Sequence, residues 1–270
     1  MRPKNPLLAL GFLLVAVQSL GALALPLLPY RPDAQNILAR FAPPSLAHWM
    51  GTDQFGRDIL ARVLAGERVL FTVSLLSVAG ALATGGSIGV AAAWIGGVFD
   101  TVTMRLMDVL FAFPIILLAI GIIAIIGPGT TGTALAIAVV YTPIFARVLR
   151  APALVLRESD YVAASRAIGA SPWRLLTRHV VPNLAPVILV QTSLSLSTAI
   201  LVEASLSFLG LGTQPPAASL GRMLSDARSL LVFSPWPAVF SGLAILLAAL
   251  GFNLVGDGLQ DRLDPRLRAR

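Results

Sequence analysis

The feature that most constrains this chain is a series of long apolar runs with almost no charged residues inside them. A helix needs about 20 such residues to cross the hydrocarbon core of a bilayer. Six runs approach or exceed that length, and they cover residues 6–28, 69–95, 103–126, 133–146, 184–211 and 236–254. Because a helix satisfies its own backbone polar groups in lipid, the sequence predicts an all-α membrane protein with six transmembrane helices.

The composition agrees with lipid as the solvent. Hydrophobic residues make up 56% of the 270-residue chain and charged residues 12%, whereas soluble domains carry about 25% charged residues. The fourth run is short and contains Pro143, but the wider window 132–149 is mostly apolar, so it is retained as a span. The chain has no cysteine, which excludes disulfides and thiolate metal sites.

The first run has two interpretations. Arg2 and Lys4 precede it and small residues such as Ala22 and Ala24 end it, as in a cleaved signal peptide. It is, however, longer than the roughly 7–15 apolar residues of a signal core. We expect a retained anchor, and N-terminal sequencing of the mature protein distinguishes the two.

Basic residues indicate the orientation of the chain. If the first span starts in the cytoplasm, the cytoplasmic segments hold 13 of the 20 Lys and Arg residues. The positive-inside rule therefore predicts cytoplasmic termini and two long outer segments, at 30–66 and 212–235. The net charge of +7 does not indicate nucleic-acid binding, because no basic stretch is interleaved with aromatic residues.

The segment between spans four and five, residues 150–182, carries strong local signals. Residues 153–168 have an amphipathic helical pattern, and Gly169 suits the position after a helix end because glycine adopts a left-handed conformation at low cost. Ser171 suits an N-cap and Pro172 the first helical position. A second helix over 173–180 is expected to stop before Pro182.

The first of these helices presents small side chains. Ala163, Ala164 and Ser165, next to Arg166 and close to Gly169, would let another protein approach closely. The alternative is an amphipathic connector that lies on the membrane surface. The pattern alone favours neither interpretation.

The same residues resemble the "EAA" loop of membrane permeases from binding-protein-dependent ABC importers. Ala163, Ala164 and Ser165 occupy the Glu-Ala-Ala place, Gly169 that of the glycine and Pro182 that of the final proline, so Ala163 stands where the family has Glu. Further segments resemble the "C"-type permeases of the dipeptide, oligopeptide and nickel group, and they lie at 48–66, 104–114, 203–212 and 253–267.

The resemblance implies a type I ABC importer permease (MetI-like) fold with a cytoplasmic coupling helix between helices 4 and 5. It implies one half of a translocation pathway in the bacterial inner membrane. A second, different permease would complete the pathway, two subunits would bind ATP, and a substrate-binding protein would dock outside. Peptides are the expected cargo, and nickel or another small solute is the alternative. A secondary transporter is less favoured, because the sequence shows no internal repeat and few charges within its spans.

The chain itself is not expected to be an enzyme or to hold a cofactor. It has no Gly-x-x-x-x-Gly-Lys-Ser/Thr loop for ATP and no hydrolase motif. By this interpretation residues 1–66 form an anchor helix and outer segment, and residues 67–260 the permease domain with its coupling loop 150–182. Residues 261–270 form a cytoplasmic tail.

Two charged positions within spans are candidates for a structural or a gating role. Asp108 lies three residues after Arg105 on one helix face, which favours an ion pair between them, and gating is the alternative. Glu203 lies about 28 Å along span five at 1.5 Å per residue, near the outer interface. We expect a structural hydrogen bond there, and contact with substrate or binding protein is the alternative.

Other polar residues do not form a recognisable site. His48 and His179 lack partners at metal-ligand spacing. The two carboxylates of Asp53 and Asp58 are too few for a calcium loop. With Gly51 nearby, they indicate a shaped turn over 51–62 that leads into span two.

Overall fold

The computed structural model describes residues 6–263. Arg2 and Lys4, and the end of the predicted tail at 264–270, lie outside the described residues. Within 6–263 the chain is helical, and the one strand-like pairing there is an isolated bridge between Thr52 and Asp58. The predicted all-α class is confirmed for this part of the chain.

Eleven α-helices are defined in the described part of the chain. They are α1 (Pro6–Ala24), α2 (Ile59–Ala81), α3 (Ser87–Ile95), α4 (Gly97–Phe111), α5 (Ile115–Ile126), α6 (Thr130–Arg157), α7 (Asp160–Ala167), α8 (Pro172–Leu175), α9 (Val181–Phe208), α10 (Leu220–Arg228) and α11 (Trp236–Leu263). Two π-helical turns, Leu82–Gly86 and Leu176–Val180, join α2 to α3 and α8 to α9. Each join makes one continuous helix of 37 residues.

Five of these helical stretches are long and apolar enough to cross a membrane, and α4 with α5 counts as a sixth if the bent pair is one span. The predicted third span at 103–126 is divided between α4 and α5. Its two halves meet at 93°. Pro114 lacks an N–H and disfavours helical geometry at Phe113, so the chain breaks there.

Four spans are longer than the apolar pattern predicts, and the fifth and sixth extend over Pro172–Phe208 and Trp236–Leu263. The second begins at Ile59 rather than at 69, because Asp58 caps α2 by accepting a hydrogen bond from the Ala61 amide at 2.8 Å. Arg62 and Glu67 interrupt the apolar pattern of α2, yet both are buried. The fourth runs to Arg157 through Pro143 and Pro152.

Helix α6 lies at the centre of the largest core cluster. Its Tyr141 and Phe145 are fully buried among side chains of α2, α5 and α9. On the α3 side the approach is closer still, because a Cβ at Gly89 would collide with the carbonyl oxygen of Ala146. Small residues that let two helix backbones touch are typical of packing in membranes. Gly89 therefore holds α3 against α6.

The predicted shaped turn before α2 is confirmed. Gly51 and Gly56 adopt positive φ, at 79° and 68°. The Asp53 carboxylate accepts hydrogen bonds from the amides of Phe55 at 2.8 Å and Arg57 at 3.0 Å. Asp53 therefore stabilises the turn. Residues 6–263 contain no cluster of three side chains that could hold a metal ion.

Candidate functional site

The predicted single helix over 153–168 is wrong, because the chain breaks between α6 and α7. Ser159 is extended, with φ −72° and ψ 147°, and its hydroxyl donates to the Leu156 carbonyl at 2.6 Å. Its own carbonyl accepts the first helical bond of α7, from the Ala163 amide at 3.0 Å. A serine that bonds the preceding turn with its side chain in this way competes with helix continuation.

The corner after α7 has the geometry predicted for Gly169. The residue has φ +85°. The Gly169 amide donates to Arg166 at 3.0 Å and the Ala170 amide to Ser165 at 3.1 Å, which is the Schellman pair of bonds at a helix C-terminus. This corner is therefore set by local backbone chemistry.

The second helix begins as predicted but does not end as predicted. The Ser171 hydroxyl accepts from the Arg174 amide at 3.4 Å and Pro172 is the first residue of α8. The helix does not stop before Pro182. It passes through the π-helical turn into α9, because the wider turn tolerates a residue without an N–H, and the Asn183 side chain donates to the His179 carbonyl at 2.6 Å.

A small apolar cluster anchors this segment from beneath. Ala93 of α3, Ala153 of α6 and the pair Val180 and Leu184 bury one another. The Arg157 guanidinium adds a hydrogen bond to the Ala93 carbonyl at 2.9 Å. The segment is thus fixed to the ends of α3 and α6.

The opposite surface of α7 is open. Val162 is its only buried residue, while Ala163, Ala164, Arg166 and Ala167 are exposed and Ser165 is partly exposed. The Arg166 guanidinium lies 5.5 Å from the centroid of the Trp94 ring. The structure thus brings five of the six predicted coupling residues, from Ala163 to Gly169, onto one corner, and Pro182 lies within the adjoining helix α9.

Two large apolar residues on the same corner were missed by sequence reasoning. Ile168 is 88% exposed and Trp173 is 75% exposed. They flank Gly169, one at the end of α7 and one at the start of α8. A large apolar residue next to a helix-ending glycine was the available signal, since an exposed apolar patch marks a surface that another protein covers.

An apolar cavity of about 490 Å³ lies directly beside this corner. Leu82 and Gly86 of one π-helical turn and Leu176 of the other line it, together with Leu149 and Trp173. Such turns relax the regular helix and occur often at functional sites. Both departures from α-helical geometry therefore face the same space.

The predicted pair between Arg105 and Asp108 is wrong. The Asp108 carboxylate lies 2.5 Å from the Arg147 guanidinium of α6. Arg147 also covers the ring of Phe111 at 4.4 Å. Asp100, nearer the start of α4, binds Arg150 through two hydrogen bonds of 2.6 and 2.5 Å. These contacts fasten α4 to α6 just before the bend.

Arg105 has a different environment. Its residue is exposed, and no acidic group in residues 6–263 lies within ion-pair distance of its guanidinium. The geometric reason is that α6 packs along the face of α4 that carries Asp100 and Asp108. Arg105 is exposed and takes no part in that contact.

Glu203 has the structural hydrogen bond expected of it. The residue is 1% exposed, and one carboxylate oxygen accepts from the Ser207 hydroxyl at 2.7 Å. Its second oxygen has no partner among the described residues.

The sequence is similar to those of known membrane transport proteins. Residues 85–269 match the family model for the binding-protein-dependent transport system inner membrane component. A putative peptide transport system permease protein of Brucella suis is 46% identical over 96% of this chain and 88% of its own length. A dipeptide transport system permease protein of Alkalihalophilus pseudofirmus is 42% identical over 98% of this chain and 88% of its own.

A solved structure has the same fold. It is the methionine ABC transporter in inward-facing conformations, with a TM-score of 0.61 over 75% of this chain and 96% of the matched chain. The sequence identity is 16%, so this likeness concerns the fold alone. It confirms the predicted MetI-like architecture.

Proposed function

The chain belongs to the family of binding-protein-dependent transport system inner membrane components, and from that premise we propose that it forms half of the membrane pathway of an ATP-driven peptide importer. The observation that carries the proposal is the corner at Gly169. It presents exposed small and apolar side chains on a segment that is anchored on one side and helically continuous with α9 on the other.

The partners are proposed from this corner and from the family to which the chain belongs. A groove in an ATP-binding subunit would receive α7 and α8, with Ile168 and Trp173 as its apolar contacts. A second, different permease would supply the other half of the pathway, and each permease would engage one ATP-binding subunit. ATP is bound by those subunits, and this chain contributes no cofactor site of its own.

The orientation is part of the proposal. The coupling corner and both termini face the cytoplasm of a bacterial cell, and the connections before α2 and after α9 face outward. The basic residues of the 150–182 segment, among them Arg150, Arg157 and Arg166, support this orientation. A substrate-binding protein would dock on the two outer segments.

The mechanism is a change between two states that nucleotide binding selects. Closure of the ATP-binding subunits would displace α7 and α8. Because α8 is continuous with α9, the displacement moves a membrane-spanning helix directly. The apolar cavity beside Trp173 lies along that helix and would change its opening to one side of the membrane.

The cargo is proposed from the relatives. Relatives at 42–46% identity are named for transport of peptides, dipeptides or glutathione, which is itself a peptide. Peptides are therefore the substrate class we assign to the complex in which this chain works.

A test combines recovery of the complex with one substitution. The affinity-tagged chain should co-purify with an ATP-binding subunit and a second permease. Ala164→Glu places bulk and charge on the exposed corner, so it should reduce recovery of the ATP-binding subunit and peptide uptake into proteoliposomes while membrane insertion stays normal. Ala34→Glu, an exposed alanine on the predicted outer segment, is the matched control for recovery of the ATP-binding subunit, because it lies away from the corner. Full recruitment and uptake with Ala164→Glu would overturn the assignment of the corner.

A further inference from the structure

A polar cleft of about 530 Å³ lies at the opposite end of the molecule from the coupling corner. It opens between the segment before α2 and the connection that leads into α10. Three arginines and one aspartate line it together with uncharged residues. The full lining is Gln35, Gln54, Phe55, Arg57, Arg62, Pro215, Pro216, Ala217, Arg222 and Asp226.

Positive charge exceeds negative charge in the walls of this cleft. Arg57 and Arg62 share one carboxylate, because their Nε atoms lie 2.7 and 3.6 Å from the same oxygen of Asp53. Arg222 has Asp226 as its partner, at 3.0 Å. Three guanidinium groups therefore face two carboxylates.

The next acidic group does not cancel this excess. The Asp33 carboxylate attracts the Arg62 guanidinium electrostatically. Its side chain, however, is exposed and does not line the cleft. Water and salt screen an exposed charge far more than a buried one. The uncompensated positive charge therefore lies inside the cleft.

The three arginines are fixed by hydrogen bonds, yet some of their guanidinium N–H groups remain unused. Arg62 is 6% exposed and donates to the Pro32 carbonyl at 3.1 Å. Arg57 and Arg222 use only their Nε atoms on the aspartates, so their terminal nitrogens donate to no described group. Guanidinium groups with unused donors bind carboxylates in short, charge-assisted hydrogen bonds.

The rim of the cleft is apolar and exposed. Phe55 is 44% exposed and lies under the Arg57 guanidinium, 4.6 Å from it. Pro215, Pro216 and Ala217 form the other side and are also exposed. A charged floor within an apolar rim fits a side chain carried on a protein surface, because the rim excludes water from the ion pair once the partner is seated.

We propose that this cleft receives an acidic side chain of the substrate-binding protein and so fixes where that protein docks. The inference rests on the function proposed above, which supplies the partner and the outward direction of the cleft. Arg222 is the residue to change, because Arg57 and Arg62 also organise the turn that starts α2.

The experiment uses the full transport complex in nanodiscs and measures the affinity of its binding protein. Arg222→Glu should weaken that affinity about tenfold or more, and Arg222→Gln should weaken it less. Arg228→Glu, an exposed arginine on the same helix outside the cleft, should leave it within about twofold. ATP hydrolysis without binding protein should be unchanged in all three variants.

Two further comparisons identify the source of the carboxylate. An acidic-to-basic substitution on the docking lobe of the binding protein should restore affinity for Arg222→Glu but not for the wild type. If Arg222→Glu instead leaves binding-protein affinity unchanged and abolishes the preference for peptides with a free over an amidated C-terminus, the carboxylate is that of the peptide and the docking proposal is wrong. If the complex assembles and transports normally and Arg222→Glu has no effect on either readout, the inference fails while the proposed function stands.

Discussion

Asp108 of α4 is paired with Arg147 of α6 at 2.5 Å, although Arg105 lies only one turn away on its own helix. The pair joins two helices across 39 positions of sequence. It lies directly before the 93° bend that separates α4 from α5, so it holds the end of α4 against α6 at that bend.

Breaking this pair should affect transport more than stability. Both side chains lie at the surface of the protein, more than two-fifths exposed, so breaking the pair opens no cavity in the core. Arg147→Asp should therefore lower peptide uptake in proteoliposomes several-fold with little change in detergent melting temperature. The double variant Asp108→Arg with Arg147→Asp should recover uptake. Arg105→Gln serves as control, and a loss of uptake as large as that of Arg147→Asp would show that the pair has no special role.

The corner at Gly169 predicts a graded response to substitution. Residues other than glycine lose about 1–2 kcal/mol in the left-handed region, and asparagine tolerates it best. Gly169→Val should therefore distort the turn between α7 and α8 and lower the ratio of peptide transported to ATP hydrolysed. Gly169→Asn should retain most of that ratio. Since no atom lies within 4 Å of a Cβ built there, equal ratios for Val and wild type would mean that the shape of the turn is irrelevant to coupling.

Gly89 predicts a defect of packing rather than of coupling. A Cβ at this position would run into the Ala146 carbonyl, whereas one at Gly121 would meet nothing within 4 Å. Gly89→Ala should lower the melting temperature of the purified protein by forcing α3 away from α6. Gly121→Ala, in an exposed part of α5, should leave it unchanged or raise it, because alanine is the better helix former. Fluorescence-detected size exclusion after heating measures both, and an unaffected Gly89→Ala would argue against direct backbone contact.

The environment of Glu203 separates a structural role from a functional one. Glutamine keeps an oxygen that can accept the Ser207 hydroxyl, and it removes a charge from a site that is 1% exposed. Glu203→Gln should therefore fold and transport like the wild type. Ser207→Ala leaves a buried carboxylate without its donor, which costs about 1–3 kcal/mol, and should lower the melting temperature. If Glu203→Gln folds normally but fails to transport, the negative charge itself acts in the pathway.

Local chemistry accounts for what could be predicted from the sequence. The corner at Gly169, the cap at Ser171 and the turn around Asp53 depend on residues within a few positions of one another. Each adopts the geometry that its residue types favour. The five long apolar helices also followed, because lipid requires such helices whatever their arrangement, whereas the predicted sixth span is the bent pair α4 and α5.

The features that escaped prediction depend on distant parts of the chain. Asp108 could pair with Arg105 on its own helix or with Arg147 on α6. Only the packing of the two helices selects Arg147. Pro182 ordinarily signals a helix start, and the relaxed turn before it removes that restriction. The outer cleft brings Arg57 and Arg222 together across 165 positions of sequence, and no local pattern relates them.

The uninterrupted helix from Pro172 to Phe208 can transmit rotation, as well as displacement, from the corner at Gly169 into the membrane. A flexible tether between the corner and α9 would pass on displacement and lose rotation, but a continuous helix passes on both. Each residue added to a helix turns everything beyond it by about 100°. Inserting one residue between Leu175 and Val181 would therefore present a different face of α9 to the pathway even if the corner docked normally. The length of this junction therefore sets which face of α9 meets the pathway.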